Sequence, residues 1–374
     1  MHTGRIMMPT RSYHGLAFLA LALAVTSAVA KDTKYRMVPI DLLPGLAQNS
    51  PNALSDKARV IGFGFGESLD NNVAYLWFKG GGGRPLPALP GAFNTWPYSI
   101  NNRDEIVGQD LIGDPASPTR AGWFWKHGMK QCARLQPLRA GDQNVGVNQI
   151  DHAGRIVGYS GQLYGARADA VVWDSHKVPP TKLRGLPGLS TSARGINANR
   201  TPQIVGVGNL EGTETWYALL WRNPRTDPEV LPGLGGGQDV PVSINDHKQI
   251  TGWSAMDPND PFGTSHAVLW ENGEVTDLAP DYPFSLVGNV NGINNLGQIV
   301  GTVVMEDGQQ HAVLWQRQGQ KMEMIDMNEA LAEPSSCFLT YADGINDNGV
   351  IIVDAFDLND PGALNRAFLL VPIN

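Results

Sequence analysis

Cysteine is nearly absent: Cys132 and Cys337 are the two in 374 residues. No Cys-x-x-Cys pair and no His-x₃-His spacing occur, so the common zinc frameworks are excluded. No Gly-x-Ser-x-Gly element is present, which removes the usual nucleophile elbow. Gly80–Gly83 and Gly235–Gly237 are glycine runs with no Lys-Ser/Thr behind them, so they read as turns and not as phosphate loops. Basic residues are also short, 28 against 36 acidic, for a net charge of −8. That balance argues against nucleic acid or an anionic membrane surface as a partner, since both demand a basic face. Apolar runs long enough to span a bilayer are missing as well; Gly15–Val25 is too short.

That run has a different reading. Arg5 and Arg11 precede it, and Ala28-Val29-Ala30 follows as a small-x-small cleavage site. The order of parts is that of an export signal, so residues 1–30 are expected to be removed and the mature chain to begin at Lys31. Without them 26 basic residues face 36 acidic ones, a net charge of −10. Export puts both cysteines in an oxidising compartment. They fall in the second and sixth units of the repeat described next, which should lie apart, so two separate thiols are expected.

What the chain has in abundance is itself. An Ile-Val-Gly element recurs at Val60-Ile61-Gly62, Ile106-Val107-Gly108, Ile156-Val157-Gly158, Ile204-Val205-Gly206, Ile250-Thr251-Gly252, Ile299-Val300-Gly301 and Ile351-Ile352-Val353, at intervals of 46 to 52 residues. Before each stands Asn or a substitute: Ser55, Asn101, Asp151, Asn197, Asn245, Asn294 and Asn346. After it, Trp77, Trp125, Trp173, Trp221, Trp270 and Trp315 each lie three residues beyond a small residue; the seventh unit has Ala367 and Leu370. Most units end in a Leu-Pro-Gly-like segment, such as Leu231-Pro232-Gly233-Leu234. A fixed period of this length signals a repeat architecture.

Within a unit, Asn and Gly join two short apolar segments as a tight hairpin. A third strand carries the Trp and a fourth precedes Leu-Pro-Gly. Four strands, A to D, repeated seven times, predict an all-β, seven-bladed β-propeller of four-stranded blades over residues 31–374. The last unit stops after strand C. Residues 35–46, with Leu43-Pro44-Gly45-Leu46 copying Leu186-Pro187-Gly188-Leu189, supply the missing strand D at the front. The ring is therefore expected to close by pairing that N-terminal strand with the last three strands, which removes the exposed sheet edges.

The pattern of Ile-Asn, Gly-Gln-Ile-Val-Gly, His-Ala-Val-Leu-Trp and Leu-Pro-Gly resembles the HAF repeat of exported bacterial proteins. Ser265–Trp270 and Gln310–Trp315 match it best; other units replace His by Val73, Ala121, Asp169, Tyr217 and Arg366. The resemblance implies an extracytoplasmic, propeller-like protein and no established activity.

Function is expected where a regular scaffold varies. The B–C loops vary most and are acid-rich. Together with the D–A crossings they form the propeller face where ligands usually bind. Strand A side chains expected near the axis are Asn52, Tyr98, Asn148, Arg194, Asn291 and Asp343; of these Tyr98, Asn148, Arg194, Asn291 and Asp343 are the candidate ligand-binding residues. Asp257, Asn259 and Asp260 in one B–C loop, and Asp357, Asn359 and Asp360 in another, offer oxygens suited to calcium. The simpler reading is that they build turns; no other cofactor is expected. His266 and His311 share one register and read as structural; His127, His152, His176 and His247 fall at turns, solvated. The six in-register tryptophans read as a packing layer. Trp96, Trp123, Trp216 and Trp253 are off register and are the better candidates for stacking on a glycan. The sequence thus points to a monomeric binding module for a glycan, small molecule or protein. A secreted glycosidase or lyase, and an envelope component without a small ligand, are the alternatives.

Overall fold

The computed structural model describes residues 33–66, 72–161, 168–210, 215–259, 264–281, 290–360 and 365–373. The expected export signal lies outside them. Seven four-stranded antiparallel sheets form the blades of a β-propeller. Blade 1 is typical, with strand A at Gln48–Leu54, B at Arg59–Phe65, C at Asn72–Phe78 and D at Gly82–Pro85. Blade 7 takes its strands A to C from Cys337–Ile345, Ile351–Asp357 and Arg366–Ile373, and its outermost strand from Lys34–Pro39. The two ends pair from Lys34 opposite Ile373 to Pro39 opposite Phe368, so the ring closes as expected.

The core is seven cores. Each apolar cluster joins two adjacent blades. Val205, Ala218, Leu220 and Leu231 of blade 4 pack with Ile244, Ile250, Val268 and Trp270 of blade 5. Ile40 and Leu43 of the closing segment pack with Trp77 of blade 1 and Leu369 of blade 7. Burial between neighbours thus stabilises the blades in sequence round the ring.

Three repeat residues owe their identity to this geometry. The leucine that opens each Leu-Pro-Gly segment donates its N–H to the small residue of strand C: Leu86 to Ala74, Leu135 to Gly122, Leu183 to Ala170, Leu231 to Ala218 and Leu278 to Ala267. Ile40 and Met327 make the same bond to Ala367 and Ala312. The indole Nε1 of Trp173, Trp221, Trp270 and Trp315 donates to a carbonyl of the incoming crossing, at Gln136, Arg184, Pro232 and Leu278. In blade 2 the Cys132 thiol donates to the matching carbonyl of Pro87, and Trp125 turns to Met129.

The glycine of Ile-Val-Gly answers a β-bulge. In every blade strand A carries one extra residue near its end, for example Val242 between the pairs Pro241–Gly252 and Ser243–Thr251. The bulge pushes a strand A carbonyl onto strand B. A Cβ at Gly252 would lie 2.1 Å from the Val240 oxygen, and one at Gly158 would lie 2.0 Å from that of Gly146.

Candidate functional site

The repeat asparagines form a ring around the axis. Asn294 Oδ1 accepts from the N–H groups of Leu296 and Gln298, which shapes its own A–B turn. Its Nδ2 donates to Gln298 and, across the blade junction, to the Asn346 carbonyl. The junction bond recurs from Asn101 to Asp151, Asn197 to Asn245, Asn245 to Asn294 and Asn346 to Ser55. Asp151 lacks the amide Nδ2 of the repeat asparagine, and there Arg155 pairs with Asp151 at 2.5 Å and donates to Asn199 of the next blade. The following residues add an outer ring. Asp56, Ala198, Asp246, Asn295 and Asp347 each donate a backbone N–H to the next blade's Asn102, Asp246, Asn295, Asp347 and Asp56 side chains. Asn294→Ala is therefore expected to cost about 2–3 kcal/mol by orphaning buried donors and acceptors on both sides of one junction. Denaturant titration of the variant measures it.

Inside this ring lies a cavity of about 190 Å³ on the axis, lined by the A–B turns and by Asn52, Ser99, Gln149, Ser243, Gly292 and Gly344. It opens on the A–B side, opposite the face of the B–C loops.

The six residues expected at the axis are bulge residues from six of the seven blades, blade 5 having Val242 at that place. Asn52, Asn148 and Asn291 each donate Nδ2 to the next innermost strand, at Pro97, Ala193 and Ala342. Their amides serve the wall of the ring. Tyr98 accepts a hydrogen bond from Gln109 at 2.7 Å, and burial holds its pKa above the ordinary value. Arg194 has its Nε buried with no hydrogen bond, and burial lowers its pKa. Asp343 Oδ2 is likewise buried without a donor.

Asp343 has a companion that sequence reasoning missed. Asp354 in strand B of blade 7 is 6% exposed and accepts from Ser50 of blade 1 at 2.9 Å; its other oxygen has no donor. The one sequence signal is that Asp354 follows Val353, where Ile-Val-Gly breaks down. Burial raises Asp354 to about 7. Burial and then the charge of Asp354 hold Asp343 well above the carboxylate range. Tyr75, buried beside them, is raised by burial and by both acids. The folded protein thus keeps a proton on Asp354 between about pH 4 and pH 7 that the unfolded chain releases near its ordinary pKa of about 3.9. Stability should fall as pH rises through that window and then level for this group. Melting curves from pH 4 to pH 8 should slope downward, and Asp354→Asn should flatten them by on the order of a few kcal/mol. Parallel curves for the two proteins would refute the assignment.

On the B–C face, Phe338 of strand A and Phe356 of strand B pack against each other with centroids 5.4 Å apart and ring planes tilted by 40°. Two depressions flank them, of about 520 Å³ beside Phe338 and about 400 Å³ beside Phe356. His311 stands edge-on to Phe338 at 4.8 Å. It bonds Asp326 at 2.7 Å and Asp307 at 3.1 Å. Burial opposes its charge, but the bonds to Asp326 and Asp307 outweigh burial and raise its pKa. His266 pairs with Asp277 at the equivalent place, and in blade 3 the pairing is reversed, Asp169 with Lys182 at 2.6 Å.

Two sequence expectations are corrected. Trp123 is fully buried, with Nε1 bonded to Asp110 at 2.6 Å, so it offers no stacking platform. It fills the space left by Gly108, whose Cβ would strike it. His176 is not simply solvated: it stacks on Phe124 of the preceding blade at 3.8 Å. Cys132 and Cys337 are separate thiols. In the acid-rich loops, Asp257 Oδ1 accepts from the backbone and side chain of Asn259, and Asp357 Oδ1 from the backbone of Asn359. Asp360 donates its N–H to the Asp357 carbonyl, and Asp260 lies outside the described residues. Among the described residues no three His, Cys, Asp or Glu side chains converge as a metal ligand set, and no helix is long and apolar enough to cross a membrane.

The fold and its axial and loop-face cavities define the chain as a seven-bladed β-propeller. No protein-family model matches the sequence, and no curated protein matches it. Solved structures resemble it in shape. The β-propeller domain of the Trilobed protease from Pyrococcus furiosus gives a TM-score of 0.57 at 10% identity, over 87% of this chain and 95% of that one. That propeller is described as having an open Velcro topology, whereas this ring is closed by Lys34–Pro39. Prolyl endopeptidases give 0.54 at 11% identity over 84% of this chain and 48% of theirs. The acylaminoacyl peptidase of Pyrococcus horikoshii gives 0.51 at 11% identity over 85% and 51%. At such identities the likeness concerns the fold alone.

Proposed function

We propose that the chain is an exported binding module that recognises a glycan, small molecule or protein through the face of its B–C loops and D–A crossings. The observation that carries this reading is the half-buried Phe338–Phe356 pair, set between two depressions on that face. A packed aromatic pair beside walls of mixed polarity suits amphipathic ligands, which bury an apolar side and keep hydrogen bonds. The resemblance to HAF repeats and the export-signal-like order of basic, apolar and small residues in 1–30 support export. A glycan array and a peptide array, each probed with the wild type and with Phe338→Ala/Phe356→Ala, test the reading. A ligand bound by the wild type and lost by a folded double variant supports it; equal binding by both proteins would move the site elsewhere.

A secreted glycosidase or lyase is the second reading, favoured by the second carboxylate beside Asp343. It requires glycan turnover that disappears in Asp354→Asn. Binding without turnover decides for the module.

A further inference from the structure

One side chain joins the walls of both loop-face depressions. His311 lies near the start of Gln310–Gln318, strand C of blade 6, with its ring edge-on to Phe338 of blade 7 at 4.8 Å. Its Nδ1 bonds Asp326, the last residue of strand D, at 2.7 Å. The other Asp326 oxygen accepts from the backbone and side-chain nitrogens of Asn328. Asn328 lines the depression beside Phe338 and exchanges two hydrogen bonds with the backbone of Leu339, the next residue of strand A. The Nε2 of His311 bonds Asp307 at 3.1 Å. Asp307 belongs to the B–C turn of blade 6, and Gly308 and Gln309 of that turn wall the depression beside Phe356. A single imidazole thus ties one wall of each depression to the aromatic pair between them.

The two bonds depend on charge. Ionised carboxylates have no proton to donate, so the ring must supply both. A neutral imidazole carries one N–H and serves one acid; the imidazolium carries two and serves both. His266, at the same place in blade 5, has Asp277 alone among the described residues and needs one. Asp326 and Asp307 are the charges that act on His311. Strand B meets it with Val303 and strand A of blade 7 with Phe338, neither of which titrates. On that strand the Tyr341 hydroxyl donates to neighbouring Gln310. On losing a proton the ring keeps Asp326, the closer acid, whose side chain is 15% exposed against 44% for Asp307. Asp307 then faces an imidazole lone pair. We propose that His311 is a pH latch on the loop-face site: charged, it holds the blade 6 B–C turn in place; neutral, it releases that turn and loosens the depression beside Phe356. That a ligand feels the latch rests on the binding reading of this face. Burial opposes the histidine's charge, but the bonds to Asp326 and Asp307 outweigh it and raise the pKa above the ordinary value of about 6.5. The latch is therefore closed below about pH 6.5 and opens as pH rises through the raised value.

Ring-proton NMR on the full chain titrates His311 directly, and His311→Gln assigns its signal. Amide exchange, corrected for its intrinsic pH dependence, follows Gly308 and Gln309, whose N–H groups bond Met305 and Asp307 within the turn. The His311 midpoint should lie above about 6.5 and fall in Asp307→Asn, because only the charged ring gains from Asp307. Both amides should exchange about threefold faster above the midpoint than below it, the scale of a partly exposed ion pair. That step should vanish in His311→Gln and in Asp307→Asn. It should persist in Asp354→Asn, which removes the buried acid that titrates near about 7. Asp307 is exposed, so its variant does not endanger the fold. A midpoint at or below about 6.5, turn exchange without a step, or a step that survives Asp307→Asn overturns the latch. No ligand enters this test, so the latch can fail while the arrays find a ligand, and the arrays can fail while the latch stands.

Discussion

Deleting residues 35–46 is expected to unfold the propeller at ordinary temperature. The segment is the outer strand of blade 7 and the crossing into blade 1. Tyr35, Ile40 and Leu43 lie 2%, 4% and 8% exposed, and burial of such side chains contributes about 1.5–3 kcal/mol each. Three of them approach the whole margin of a typical domain, about 5–15 kcal/mol. The backbone losses add to this. Tyr35 exchanges hydrogen bonds with Ala330 and Ala332 of the preceding crossing, and Ile40 bonds Ala367. Removal also bares Arg366–Ile373 as an edge strand, which invites pairing between molecules. Thermal melts and size-exclusion chromatography should show a lost transition and soluble aggregate. A synthetic peptide of the deleted residues, added in trans, should restore the transition. A truncated chain that melts with the full one would mean the ring does not depend on this closure.

The closing strand could be read from sequence because its evidence is local: Leu43-Pro44-Gly45-Leu46 repeats a segment found elsewhere in the chain. The tryptophan layer was legible for the same reason, since register alone placed the Trp on strand C. The repeat asparagine was counted, and its turn was expected, but its bond to the next blade was not. That bond joins Asn294 to Asn346, and no local pattern encodes a contact 52 residues away. The bulges were hidden too. They explain why the expected axial residues are the extra residues of strand A, and why Gly follows Ile-Val. Asp354 was missed because its partner Ser50 is 304 residues distant, on the far side of the closure. Trp123 was misjudged because being off register does not make a side chain exposed; Gly108 and Asp110 made room and a partner for it. Repetition revealed what each blade does within itself, and contacts between blades supplied the rest.

Trp270→Ala should cost about 3–5 kcal/mol, the range for large aromatics removed from a core. The ring is 2% exposed and fills the junction of blades 4 and 5 against Leu220, Leu231 and Ile244. Truncation leaves a cavity there and strips the Pro232 carbonyl of its indole donor at 2.6 Å. Lys177→Ala, at an exposed hairpin, should stay within about 0.5 kcal/mol and serves as the control. The two contributions can be separated. Trp270→Phe keeps much of the apolar volume and loses the hydrogen bond. Trp77 occupies the same place in blade 1, also 2% exposed, but among the described residues no acceptor reaches its Nε1. Trp77→Phe should therefore cost about 1 kcal/mol less than Trp270→Phe, the net worth of one indole bond. Equal costs in urea titrations would assign the tryptophan layer to packing alone, and a Trp270→Ala variant as stable as Lys177→Ala would remove Trp270 from the blade junction altogether.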